Sequence, residues 1–434
     1  MITIWADTLS RYRNKSVCLG LRFYRWDNGD AYTQVSGQED ARNTVPGILY
    51  TNHDEITEDI SKIAAERAQV VVISYFNHSP SGIKKEKSDA EVEWKVKGFV
   101  LEDGLWQEVP VQVIPLREDL FSRAKGILEA QSVSDKCVFD AGLGSVGSFV
   151  VELLAMSGIM KFILCDFERV DTANVCRQNA GISDIGRRKT AVSAQKILNK
   201  NPYAKVETHD LKITWESEDF IRELVHRSDV VIGPVDNRDA RVILNELCVE
   251  ENKPLLLMGA FHRAYGVQIL FTRRPRIDPC YICFLMSLPP DTKKYGFLSL
   301  EQGPLRAYAD YPVDTVAPGL AVDIAAMNIM TARLCINHLL KGKPTGLRSL
   351  DEDLTAPLYV YINRREPGTR YEKLEPLGFN AGNGNMHILS WQGRPLKRNI
   401  ACPVCGNYVD ERSKAYGVSV SREDAAQYEC KTGK

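Results

Sequence analysis

The sequence predicts an α/β protein with a mostly parallel sheet covered on both faces by helices, preceded by a smaller α/β domain. Three observations carry this. From about residue 120 onward, short apolar runs alternate with amphipathic segments, the βαβ pattern of a parallel sheet. The first of those runs enters Asp140-Ala-Gly142-Leu-Gly144-Ser-Val-Gly147-Ser148, a glycine turn between a strand and a helix. At 434 residues the chain is long enough for two or three domains, each with its own core.

In the N-terminal part the expected elements are strands at Val17 to Tyr24 and Val70 to Tyr75, and a helix at Glu58 to Gln69. A hairpin joins Val92 to Leu101 and Glu108 to Pro115 across Glu102-Asp103-Gly104. A helix from Asp119 to Gln131 leads on, so the boundary falls near Pro115 to Asp119, giving domains 1–118 and 119–434. Then come strand Lys136 to Phe139, helix Ser148 to Met156, strand Lys161 to Cys165 and helix Thr190 to Lys200. Strand Asp229 to Ile232, helix Asp239 to Glu250 and strands Pro254 to Met258 and Gly266 to Phe271 follow. Residues 286–316, rich in Pro and Tyr and without periodicity, form a long crossover loop, and loops of that length are usually functional. A helix from Ala317 to Leu340 resumes the pattern, and the stretch after Cys405 reads as a loose tail.

Composition narrows the function. Lys plus Arg number 55 against 56 Asp plus Glu, with no run of like charge, which argues against nucleic acid as a partner. No apolar stretch approaches the roughly 18 residues of a membrane span, and the start lacks the apolar core of a signal peptide, so a cytoplasmic protein is expected. Eleven cysteines in such a compartment are metal ligands where they are regularly spaced and small buried residues elsewhere.

Gly142, Gly144 and Gly147 suit a phosphate, because a Cβ would hold the backbone away from it and the helix N-terminus presents N–H groups to an anion. Asp166, ending the next strand, stands where Rossmann-type folds place an acid on a ribose hydroxyl. To this point an NAD oxidoreductase and an ATP enzyme fit equally.

Further along stand Asp166-Phe-Glu-Arg-Val-Asp171-Thr-Ala-Asn174-Val-Cys-Arg177-Gln178, Ile185-Gly186-Arg-Arg-Lys189, Val235-Asp236-Asn237-Arg-Asp-Ala-Arg241 and Pro279-Cys280-Tyr-Ile-Cys283. In that order they resemble the Rossmann-like ATP-binding domain shared by ubiquitin-activating enzymes and the bacterial ThiF and MoeB adenylyltransferases, over residues 121–405. The resemblance implies ATP, Mg²⁺ and the adenylation of a C-terminal carboxylate on a ubiquitin-like or sulfur-carrier protein. Arg177 and Lys189 would neutralise the phosphates and the transition state. Asp236 would hold Mg²⁺. Asp166 would hold the ribose, Asn174, Gln178 and Asn237 would line the nucleotide, and Gly142 to Gly147 would cradle it. Phe121-Ser122-Arg123 resembles a segment whose arginine reaches the γ-phosphate in the partner subunit, which implies a homodimer; a solvated arginine is the alternative. A ubiquitin-conjugating-like enzyme is a further partner implied by the resemblance. Two other readings are a peptide or small-molecule carboxylate as substrate, and an inactive scaffold that binds a ubiquitin-like protein.

Cys280-x-x-Cys283 and Cys402-Pro-Val-Cys405 offer four thiolates in two knuckles, the usual makeup of a closed structural zinc site, and in the family two such pairs meet. Members that form a thioester carry a cysteine in the loop after the first knuckle, but Phe284 to Pro318 contains none. The enzyme then stops at the acyl-adenylate, or the thiol lies elsewhere (Cys176 and Cys430 are the candidates, Cys248 and Cys335 reading as core), or a native cysteine was replaced. In the N-terminal domain His78 and Asp89 match metal-ligand positions of the JAB/MPN metalloprotease signature, with Phe76 in place of its first histidine and no glutamate near Lys15 to Cys18. The resemblance is to a metal-free relative of that fold, used for docking a ubiquitin-like tail or for dimer contacts, and it favours a bacterial ubiquitin-like conjugation pathway. An unrelated α/β domain is the alternative.

Overall fold

In the computed structural model of the chain, the described residues are 1–12, 17–25, 31–35, 44–52, 60, 68–75, 95–288, 319–369, 371–374 and 387–406. They fall into two compact units that divide between Lys125 and Gly126.

The first unit is built on β1 (Ile2–Trp5), β2 (Val17–Arg25), β3 (Tyr32–Val35), β4 (Thr44–Asn52), β5 (Val70–Tyr75), β6 (Lys95–Glu102), β7 (Leu105–Val109) and β8 (Val111–Ile114). Their order in one mixed sheet is β7-β6-β5-β4-β2-β3-β1-β8. β6 and β7 form a hairpin at the expected turn, where Asp103 and Gly104 both take positive φ (49° and 80°), the type I′ turn that matches strand twist; its second strand is Leu105–Val109, and the expected strand Glu108 to Pro115 is divided at Pro110, its second half forming β8. Only Pro110 separates β7, at one end of the sheet, from β8, at the other. The sheet must therefore curl until its ends meet, and a Cβ on Gly98 of β6 would strike Val111 of β8 at 2.4 Å. Ile2, Ile4, Phe23, Leu49, Val70 and Val72 fill its core. Phe76, His78, Asp89 and most of the expected helix Glu58 to Gln69 lie outside the described residues.

The expected helix from Asp119 to Gln131 is not continuous. Leu116–Asp119 is one helical turn, Ser122–Ala124 and Ala130–Ser132 are 3₁₀ turns, and Gly126 at φ 84° breaks the run. Glu129 then accepts the Gly126 N–H through its side chain, which closes the break as a turn.

The second unit holds β9 (Cys137–Asp140), β10 (Lys161–Cys165), β11 (Lys205–His209), β12 (Val230–Gly233), β13 (Leu255–Ala260), β14 (Gly266–Thr272), β15 (Leu358–Ile362) and β16 (Trp391–Arg394), in the order β11-β10-β9-β12-β13-β14-β15-β16. β9 to β13 run parallel, as expected, and β14, β15 and β16 extend the sheet antiparallel at one side. The helices Gly147–Met156 and Lys189–Lys200 carry the chain from β9 outward to β11, and Glu218–Arg227 and Arg238–Glu250 carry it back and on to β13. Crossovers of one hand leaving in opposite directions land on opposite faces. Alternate strand residues divide accordingly: Val138, Phe162, Leu164, Val230 and Ile232 pack on the first pair of helices and on Ala321–Leu339, whereas Phe139, Ile163, Val231 and Leu257 pack on the second pair.

Of the expected crossover loop 286–316, Met286 and Ser287 close the helix Tyr281–Ser287 instead, and 289–318 lie outside the described residues, as do 407–434. Among the described residues no helix is long and apolar enough to cross a membrane.

Candidate functional site

The strand order reverses between β9 and β12, and in open α/β sheets the crevice beyond the carboxyl ends of such a pair is where ligands bind. Three segments meet there: the glycine loop after β9, the turn after β10 and the loop after β12.

In the glycine loop the three glycines have different reasons. A Cβ on Gly147 would lie 1.9 Å from the Gly142 carbonyl oxygen and 2.6 Å from Asp140 Oδ1, so no side chain fits. A Cβ on Gly142 would press on the Pro234 carbonyl oxygen and Val235 at 3.3–3.4 Å, which sets this loop against the loop that carries Asp236. A Cβ on Gly144 would meet nothing within 4 Å; it is the glycine of the loop that faces open space. Ser148 donates to the Gly144 carbonyl at 2.7 Å and the Asn328 amide donates to the Ser145 carbonyl at 3.1 Å, so the loop is held from behind. The helix Gly147–Met156 has no side-chain cap, leaving its N-terminus directed to the crevice.

Asp166 accepts the Leu143 N–H on one oxygen and the Glu168 N–H on the other, both at 2.8 Å, and so joins the end of β10 to the glycine loop. Burial holds its carboxyl above the ordinary range, opposed chiefly by the Lys189 ammonium. Lys189 is 5% exposed and opens its helix, and its ammonium pairs with the Glu168 carboxylate. It is brought there by an antiparallel bridge between Arg169 and Arg188, flanked by Val170 N–H to Arg187 O and Lys189 N–H to Glu168 O. The sequence reading missed Glu168. Its signal is the i, i+2 spacing from Asp166 in an extended stretch, which puts both acids on one side.

The segment that carries Asn174, Arg177 and Gln178 is tied at its end to the first turn of the glycine-loop helix, where the Asn179 N–H donates to Ser148 Oγ at 3.2 Å. Asp171 and Asn174 form a reciprocal capping box, so the Asn174 oxygen is engaged within the turn. Arg177 is half-buried and Gln178 buried. Asp236 is exposed on the loop after β12. Its neighbour Asn237, expected at the nucleotide, caps the helix Arg238–Glu250 with its oxygen, accepting from Asp239 at 2.7 Å and Ala240 at 3.4 Å. Arg241, quoted in the motif without a role, clamps this loop: Nε donates to the Val235 carbonyl at 2.8 Å and Nη2 to the Met258 carbonyl at 2.9 Å. Arg123 is exposed on the Ser122–Ala124 turn and falls in the first unit, away in sequence from the other site residues.

Cys280, Cys283, Cys402 and Cys405 are buried with their four sulfurs within 4.8 Å of one another. Printed on the fold by the helix Tyr281–Ser287 and the turn after β16, the pairs approach at 3.4 Å (Cys283 to Cys405) and 3.6 Å (Cys280 to Cys402), with 3.9 Å inside the first knuckle. A tetrahedral zinc with bonds of 2.3 Å needs sulfurs about 3.8 Å apart, so this donor set fits that ion. The second knuckle requires Gly406, where a Cβ would strike the Ile400 and Cys402 carbonyl oxygens at 2.4–2.5 Å. Cys248 and Cys335 are buried in the two helical layers, where burial pushes their thiols up. Cys176 is exposed, and Cys430 lies outside the described residues.

The model of the ThiF family matches residues 121–349, just over half of the chain. Ubiquitin-like modifier-activating enzyme 5 of Caenorhabditis briggsae is 30% identical over 165 residues, 36% of this chain and 38% of that protein. Its counterpart from Drosophila ananassae is 32% identical over 167 residues, 36% of this chain and 42% of that protein. The chain thus spans about two fifths of the length of these relatives. Among solved structures, E. coli MccB is similar at 18% identity and a TM-score of 0.45, covering 64% of this chain and 69% of that one.

Proposed function

The chain belongs to the ThiF family, and from that premise we propose that it is an adenylyltransferase that uses Mg-ATP to activate the C-terminal carboxylate of a ubiquitin-like or sulfur-carrier protein. The observation that carries the reading is the convergence, at one switch-point crevice, of the open Gly144, the buried cation Lys189 and the loop bearing Asp236. The pattern of an open glycine backed by a helix N-terminus suits a triphosphate.

In the reaction a carboxylate oxygen attacks the α-phosphorus in line, the bond to the bridging oxygen breaks, and pyrophosphate leaves. Two anions must meet, so the need is for positive charge and position rather than a nucleophilic side chain. Lys189 exchanges its Glu168 partner for a phosphate oxygen without leaving its buried seat, and Arg177 adds a guanidinium. Asp166, fixed by two N–H groups, still offers lone pairs to the ribose. Asp236 would hold Mg²⁺, which when bound screens the charge of the departing pyrophosphate. Gln178 and the amides of Asn174 and Asn237 complete the polar wall. Arg123 is assigned to the γ-phosphate of a second copy, which makes the working enzyme a homodimer. The four cysteines would hold a structural zinc, which would tie the turn after β16 to the helix Tyr281–Ser287.

The test is ATP–pyrophosphate exchange in the presence of candidate carrier proteins or of free peptides. Carrier-dependent exchange, lost by about 10²–10³ in Lys189→Ala and also lost in Asp236→Ala, is expected. Exchange with peptides alone overturns the substrate class, and binding of NADH in place of ATP overturns the reaction.

A further inference from the structure

Asp140 is a buried acid that the mechanism above does not use. It ends β9 directly beneath the glycine loop and is 0% exposed. Oδ1 accepts the Gly142 N–H at 3.2 Å and occupies the space that denies Gly147 a side chain. Oδ2 has no hydrogen-bond partner among the described residues. The titratable groups that act on it are Cys165 and Asp166 on β10 and its end, and Cys335 on the helix Ala321–Leu339; no lysine, arginine or histidine is among them. The same helix brings two more buried oxygens without partners, Asn328 Oδ1 and Thr331 Oγ1, and its Asn328 amide already holds the Ser145 carbonyl of the loop.

A carboxylate ion in this position would be a buried, unpaired charge, which is strongly unfavourable, and it would lie beside Asp166 and under the phosphates. A neutral acid avoids both penalties. Its carbonyl oxygen still accepts from Gly142, and protonation removes the charge from the partnerless Oδ2. We propose that Asp140 is a neutral carboxylic acid in the working protein, a positioning residue that fixes the glycine loop from beneath while keeping negative charge away from the nucleotide. The second half of this statement rests on the reading of the loop as an ATP site. Burial first, and then Asp166, push the Asp140 carboxyl well above the ordinary range, against the single opposing contact from Gly142.

The test compares wild type with Asp140→Asn, a neutral near-isostere. The infrared difference spectrum at neutral pH should contain the carbonyl band of a protonated carboxylic acid, shifted in D₂O and absent from the variant; carboxylate bands alone overturn the proposal. Asp140→Ser supplies the subtraction if the Asn variant does not fold. ATP affinity should agree within about threefold between wild type and Asp140→Asn at neutral pH, and the wild type should weaken relative to the variant as pH rises. A tenfold difference in affinity between the two at neutral pH overturns the claim that Asp140 acts there as a neutral group. If neither protein binds ATP while the acid band is present, the nucleotide reading fails and the protonation of Asp140 stands.

Discussion

Replacing Gly147 and Gly144 by alanine, one at a time, should separate folding from binding within a single loop. At Gly147 the new methyl would sit 1.9 Å from the Gly142 carbonyl oxygen, which belongs to the backbone and cannot rotate away. Overpacking of this kind costs about 1–3 kcal/mol or more. The second unit, Gly126–Lys434, is roughly 300 residues, and at about 2.1 cal/mol/K of unfolding entropy per residue a loss of 3 kcal/mol lowers its melting midpoint by about 5 °C. At Gly144 the methyl meets nothing, so stability should change by less than about 1 kcal/mol, with either sign. The same methyl stands in the space assigned to phosphate, so ATP affinity should fall by at least tenfold, about 1.4 kcal/mol. Differential scanning fluorimetry with and without Mg-ATP reads both effects. An unchanged midpoint shift on ATP addition in Gly144→Ala would falsify the assignment of the loop, and a fully stable Gly147→Ala would refute the steric argument.

Other consequences follow from named contacts. Arg241→Lys gives up the paired hold on Val235 and Met258; a cost of about 1–3 kcal/mol and a raised KM for Mg-ATP are expected, measured by urea unfolding and pyrophosphate exchange. Chelation or Cys405→Ser should release one zinc per chain, by atomic emission, and cost on the order of 5 kcal/mol, because the clip joins cysteines 122 residues apart. His338 is half-buried, edge-on to Phe271 and near Arg273, and desolvation brings its pKa down to about 4. A depressed histidine leaves stability intact above the unfolded value near 6.5 and loses it as pH drops toward 4, by about 3 kcal/mol in all. His338→Gln should flatten that part of the urea-midpoint profile. Asp140 has the opposite sign: its carboxyl is raised on folding, so wild type should lose stability relative to Asp140→Asn as pH climbs from about 4, which parallel melts at several pH values would reveal.

The parts of this structure that could be read from sequence are those set by local pattern. Apolar runs such as Val230–Gly233 can only be covered strands, and the Cys-x-x-Cys spacing constrains sulfur positions within each knuckle. β11 escaped notice because it is an edge strand: Lys205–His209 is charged and mostly half-exposed, so burial writes little into it. β15 depends on pairing with β14, and β16 on pairing with β15, each across a stretch of chain that local pattern does not span. In the site, the residue types were legible and their partners were not. Asn174 and Asn237 spend their oxygens on caps one turn away, while Glu168 and Arg241 matter through contacts that exist only once the sheet is assembled.

The curl of the first sheet bears on how that unit comes to be folded. β1 pairs in parallel with β8, Ile2 opposite Val111, so this strand cannot find that neighbour until more than a hundred further residues have emerged. Closure of such non-local pairs is slow, because loop entropy must be overcome before contacts reward it. During synthesis Ile2–Trp5 therefore offers an unsatisfied strand edge, and this is the interval in which a chaperone, or a neighbouring nascent chain, has access to it.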